Sequence, residues 1–215
     1  MRLEEELKNY DLQLINMLKR VKTMLDMSKE SLQNSDKSKA LNIIEMDDYI
    51  NHLDEDINNH ASIMLSLLQP VAKDLRQIIA GIKISTDIER IGDYAKTVGR
   101  FVIRSEGISE DIAVYTDAII DLLIQQLDDT ILCLHTLDIN LAYEIPLKDQ
   151  KVDEVFVNAI NYIEKKIHEE ATLEDFHYPI RLVSTFRSLE RAGDHIKNIC
   201  EAIIYRIKGQ HIDFG

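Results

Sequence analysis

Two stretches, "ERIGDYAK" (Glu89–Lys96) and "ERAGDHIK" (Glu190–Lys197), decide how this chain reads. A shift of 101 residues lays Glu89, Arg90, Gly92, Asp93 and Lys96 on Glu190, Arg191, Gly193, Asp194 and Lys197. Residues four apart on a helix share a face, so Glu89 projects with Asp93 and Glu190 with Asp194. Glycine inside a helix costs about 1 kcal/mol relative to alanine. Its presence at the same position of both stretches marks a face that another helix, an ion or both approach closely.

Working outward, apolar residues recur at spacings of three and four from Leu3 to about Met27, from Leu41 to about Leu68, and onward to about Ile103. The polar "SKESLQNSDKSKA" reads as the frayed end of the first helix and the turn after it, and Pro70 as part of the first turn of the third. In "RSEGISEDI", Gly107 suits a C-terminal cap and Ser109 an N-cap. The same order then returns, with helices expected at about 110–137, 141–170 and 179–208. Asp47 and Asn51 lie 102 residues before Asp149 and Asp153, nearly the offset of the first pair. The chain therefore reads as two copies, 1–106 and 107–215, of an antiparallel three-helix unit, packed together as an all-α protein.

Composition agrees, since seven Gly and three Pro in 215 residues leave few turn signals. A formal net charge of -13 argues against general nucleic-acid binding and favours cations or basic protein surfaces. Cys133 and Cys200 have no metal-ligand spacing and read as packed, reduced thiols of an intracellular protein. "MRLEEELKNY" lacks the apolar core of a secretion signal, and "DIAVYTDAIIDLLIQQ" is broken by Asp117 and Asp121. Any membrane association is expected to run through a partner.

Paired carboxylates on one helix face repel unless solvent and salt, an Arg or Lys, or a metal lies between them. Pairing of Lys96 with Asp93 would contribute about 0.3–0.5 kcal/mol and hardly calls for glycine. A metal would gain from the second helix of each copy, where Asp149 and Asp153, or Asp47 and Asn51, complete a ring of oxygen donors suited to Mg²⁺, Mn²⁺, Ca²⁺ or iron. Asp48, Asp74 and Asp87 are further donors in the first copy. The seven histidines are scattered, and only His195 adjoins a motif; Tyr94 holds the matching position.

"QPVAKDLRQI", "KISTDIERIGDYAK" and "SLERAGDHIKNICEAIIYRIKGQ" resemble the PhoU family over about residues 3–210. The resemblance implies two three-helix bundles, a homodimer, and metal held at the paired motifs, in some members as iron clusters. Iron, manganese, magnesium and zinc are the metals expected. By position, the first site would use Asp47, Glu89 and Asp93 with Asp87, and the second Asp149, Asp153, Glu190 and Asp194. Asn51 and Ser188 depart from the ideal pattern. The implied role is cytoplasmic: a negative regulator of phosphate import that connects the phosphate-specific ABC transporter to a phosphate-sensing histidine kinase.

Two rivals stand beside it. A ferritin-like di-iron oxidase needs two Glu-x-x-His motifs, and only Glu174 to His177 has that spacing. A metal-free helical adaptor, or an accessory protein of a low-affinity phosphate transporter, needs no metal ligands. If one site alone binds metal tightly, the copy containing Glu190 and Asp194 is expected to be that one, because it keeps both aspartates of its second helix.

Overall fold

The computed structural model describes residues 2–105, 108–170 and 177–215. Their helices are α1 (Leu3–Asn34), α2 (Lys37–Leu68), α3 (Lys73–Arg104), α4 (Glu110–Thr136), α5 (Ile139–Leu147), α6 (Asp149–Glu170) and α7 (His177–Lys208). Each 32-residue helix is roughly 48 Å long at 1.5 Å per residue. α1 to α3 form one antiparallel bundle; α4, α5 with α6, and α7 form the other. Gly107 and Glu174 lie outside the described residues.

The segment expected to fray after Met27 is instead helical to Asn34. Its serines fold back on the helix: Ser28 donates to the Met24 carbonyl (2.7 Å) and Ser31 to the Ser28 carbonyl (3.0 Å). Leu32 beyond them is buried, which extends the apolar stripe and keeps the last turn in place. The chain reverses at Ser35, which is left-handed (φ 51°), and Asp36 caps α2 by accepting from the Lys39 N–H at 2.9 Å. Pro70 precedes α3 rather than entering its first turn, because Gln69 and Ala72 both adopt positive φ and delay the helix to Lys73.

The fifth expected helix is broken. Pro146 brings no N–H and its ring crowds the carbonyl four residues back, so α5 ends at Leu147 and α6 starts at Asp149. Asp149 consequently opens a helix.

The two bundles share one apolar core that runs from Leu7 to Ile204. The most extensive packing is between α3 and α7, the third helices of the two copies. Tyr10 is fully buried beside α3, its hydroxyl donating to the Ile78 carbonyl (3.3 Å), and Gly81 supplies the space its ring fills. Arg206, nearly buried on α7, reaches Asp11 on α1 through two hydrogen bonds of 2.9 and 2.7 Å. Cys133 and Cys200 are buried and unbonded to each other. No helix among the described residues is long and apolar enough to cross a membrane.

Candidate functional site

Each bundle brings its third helix against the aspartate of its second, and glycine sets how closely. A Cβ on Gly193 would come closer than 3.0 Å to Asp149 Oδ1 and within 3.3 Å of Asp149 Cγ. On Gly92 it would meet Ile50 Cγ2 at 3.3 Å and Asp47 Oδ1 at 3.8 Å. What approaches the glycine face is therefore a neighbouring helix carrying a carboxylate. Asp47 is fully buried and Asp149 nearly so.

The cation that meets these aspartates is the motif's own lysine. Lys96 forms a short ion pair with Asp47 Oδ2. The Asp93–Lys96 pair that helix spacing allows is absent among the described contacts; Arg90 serves Asp93 instead (3.5 Å) and also lies 3.6 Å from Glu89. In the second copy Lys197 joins Asp149 Oδ2 (3.0 Å) to Asp194 Oδ1 (2.8 Å). Among the described residues Glu190 makes no ion pair.

Burial and neighbouring charge disfavour the ionised form of three carboxylates, Glu89, Glu190 and Asp149. Burial raises the Glu89 pKa, aided by Asp93, Asp54 and Asp47 and opposed by Arg90. Burial likewise raises Glu190, with Asp194, Asp153 and Asp149 adding to it and Arg191 opposing. Burial also lifts Asp149 despite the pull of Lys197, with Asp153 and Asp194 pushing the same way. Burial alone would lower the Lys197 ammonium, but its contacts with Asp194 and Asp149 raise it overall. The partners shift in different senses of ease because Lys197 is shared by two carboxylates, whereas the deeper Asp149 has one cation.

The donors suit a hard cation chemically, being carboxylate and amide oxygens. Several are buried and accept no hydrogen bond: Asp47 Oδ1, Asn51 Oδ1, Asp54 Oδ1 and both Asp149 oxygens. Asp149 Oδ2 faces the lysine without the angle a hydrogen bond requires. No three Asp, Glu, His or Cys side chains among the described residues converge as metal ligands.

Asp87 does not join Asp47. It faces α7, where its Oδ1 accepts from His195 Nδ1 (2.7 Å) and Asn198 Nδ2 (3.2 Å), and the Tyr94 hydroxyl lies 3.3 Å from His195 Nε2. Asp74, fifteen residues before Glu89 on α3, is about 22 Å away along the axis. Asp48 is exposed on α2, and Asp153 is exposed on α6 beside Asp149 and Glu190. Sequence reasoning missed Asp54, which acts on Glu89 from two turns beyond Asp47. The spacing Asp47, Asn51, Asp54 on one face of α2 was the available signal.

The PhoU domain model matches residues 14–102 and again 117–203, one match in each bundle. The chain belongs to the PhoU family. A PhoU homolog of Clostridium acetobutylicum, described as a phosphate-specific transport system accessory protein, is 27% identical, with 99% of this chain and 97% of the relative covered. The phosphate-specific transport system accessory protein PhoU of Escherichia coli is 29% identical over 95% of this chain and 85% of its own. The crystal structure of PhoU from Pseudomonas aeruginosa superposes with a TM-score of 0.90 at 29% identity, covering 97% of this chain and all of that one. That structure shares the fold of this chain over nearly its whole length.

Proposed function

We propose that this PhoU chain is an accessory protein of a phosphate-specific transport system: a cytoplasmic, homodimeric adaptor, with no catalytic task, that restrains phosphate import and the phosphate-starvation response. It would dock on the ABC transporter and on a phosphate-sensing histidine kinase, and so reach the membrane through partners. The observation that carries this reading is the full-length match of both repeats to relatives bearing that name. The strongly acidic surface expected from a net charge of -13 suits basic loops of such partners.

Metal binding belongs to the same proposal. Asp149, Asp153, Glu190 and Asp194 would hold an ion in the second copy, and Asp47, Glu89 and Asp93 in the first; the ion would neutralise repulsion and tie two helices of a bundle. The lysine pairs favour a second reading, a metal-free adaptor, which includes service to a low-affinity phosphate transporter.

Deletion of the gene tests the regulatory role: phosphate-starvation genes are expected to turn on in phosphate-rich medium, and unchanged expression counts against it. The transporter that co-purifies with the chain separates the two transport systems. Metal analysis of untagged protein, with Glu190→Ala/Asp194→Ala as control, separates the two readings of the clusters.

A further inference from the structure

We propose that Lys96 and Lys197 are resident counter-cations that close the two carboxylate clusters, so that a metal ion enters only by displacing the lysine from the aspartate of the second helix. This rests on the metal-binding reading above. Both lysines hold the same motif position, and both reach past their own helix to the buried aspartate of the neighbour. Their side chains are each 15% exposed, so both ammonium groups are paired in a largely buried setting that is still open in part to solvent. An ammonium on a four-carbon stem can leave without moving the backbone, which a buried arginine fork does far less readily.

The lysine neutralises its cluster incompletely. Asp47 Oδ1 and Asp149 Oδ1 stay buried with no donor, and carboxylates in this state favour a cation of higher charge. The clusters also differ. In the first, Asp47, Glu89 and Asp93 face both Lys96 and Arg90, leaving one net negative charge before Asp54 is counted. In the second, Asp149, Asp153, Glu190 and Asp194 face Lys197, with Arg191 the other cation acting on Glu190, and no ion pair among the described residues reaches Glu190. With Asp54 counted the two clusters carry similar net charge, but a divalent ion would find one paired cation, Lys197, to displace in the second cluster, against Lys96 and Arg90 in the first. Exchange of Lys197 for a metal would also cut the direct ion pair between α6 and α7 and replace it by bonds through the ion.

The test is a titration of chelator-stripped, untagged protein with Mn²⁺ by calorimetry, for wild type, Lys197→Met and Lys96→Met. The lysines' reactivity toward acetic anhydride is followed by mass spectrometry with and without Mn²⁺. Lys197→Met is expected to raise Mn²⁺ affinity on the order of tenfold or more, because the competing ammonium is gone and one neighbouring opposite charge changes a carboxylate's affinity for a proton by about that much. Lys96→Met is expected to change it less. In the wild type, saturating Mn²⁺ is expected to increase acetylation of Lys197, a readout that needs no variant to fold. Equal Mn²⁺ affinity for wild type and Lys197→Met, with Lys197 reactivity unchanged at saturation, overturns the proposal and leaves metal binding standing. Absence of Mn²⁺ binding to all three proteins overturns the metal reading itself.

Discussion

Gly193→Ala measures how much the fold depends on the approach of Asp149 to α7. Alanine in a helix interior gains about 1 kcal/mol over glycine, so an open site would be stabilised. Here the new methyl would come closer than 3.0 Å to Asp149 Oδ1, and the carboxylate must turn away from α7 or α7 must shift from α6. Overpacking of this kind costs about 1–3 kcal/mol. Separation of Asp149 from Lys197 adds to it, since removing one partner of a buried ion pair costs about 3–5 kcal/mol and partial separation a fraction of that. Set against the helix gain, the net expectation is a loss of about 2 kcal/mol, or about 4–8 °C in Tm for a chain of this size. Gly92→Ala is the control. Its methyl would meet Ile50 Cγ2 at 3.3 Å, which a few tenths of an ångström relieve, and Asp47 Oδ1 only at 3.8 Å. That variant is expected to lie within about 1 kcal/mol of wild type, because propensity and crowding nearly cancel. Urea unfolding of both variants, followed by circular dichroism in chelator, compares them. A Gly193→Ala protein as stable as Gly92→Ala would refute the close approach of Asp149.

Glu190→Gln is expected to raise Tm in chelator at pH 7, because the folded-state pKa of Glu190 is raised and ionisation there costs stability. The cost is absent below the unfolded value near 4.3 and grows to its full size as pH rises through the folded value, so the advantage of Gln should vanish on acidification. A Tm difference that persists at pH 3.5 would refute it. Asp11→Ala strands Arg206, which is nearly buried on α7, and is expected to cost about 3 kcal/mol in urea unfolding. Burial pushes the Cys133 thiol up to about 12 and Cys200 higher still. Neither is therefore expected to react with a disulfide reagent at pH 8 until the chain unfolds, which absorbance of the released thiolate follows.

The repeat and the glycine face were legible in the sequence because both depend on spacing along one helix. Asp47 and Asp149 could also be found, since the same offset relates them. Contacts set by how helices cross were not legible. Spacing allows Lys96 to pair with Asp93 three residues back, yet it reaches Asp47 on α2; helix spacing alone does not say which of two carboxylates at similar reach is the more deeply buried. Asp87 was placed in the first cluster by position, as the family resemblance implies. Two residues apart on a helix means nearly opposite faces, and Asp87 meets His195 across the molecule. The break at Lys148 had a visible cause in Pro146, but a proline can either kink a helix or end it, and packing decides.

The differences between the two motif copies sort by the face on which they lie. The five matched residues serve contacts within a bundle: the carboxylates, the two cations and the glycine that admits the aspartate. Tyr94 and His195, which do not match, meet each other at the seam between α3 and α7 (3.3 Å). Asp87 and Ser188, also unmatched, divide in the same way. Asp87 accepts from His195, whereas Ser188 turns back to the Ser184 carbonyl (2.9 Å) on its own helix. With Nδ1–H donated to Asp87, His195 Nε2 is left as the acceptor for the Tyr94 hydroxyl, so a single histidine satisfies both partners from α3. A second histidine at position 94 would have no carboxylate at position 188 to orient it. The remaining two unmatched positions exchange large for small, Ile91 and Ala95 in one copy against Ala192 and Ile196 in the other, and all four are buried. The summed volume is conserved, as a densely packed core requires. Contacts within a bundle must therefore be made separately in each copy, while the seam needs only one complementary set, and that set can differ between its two sides.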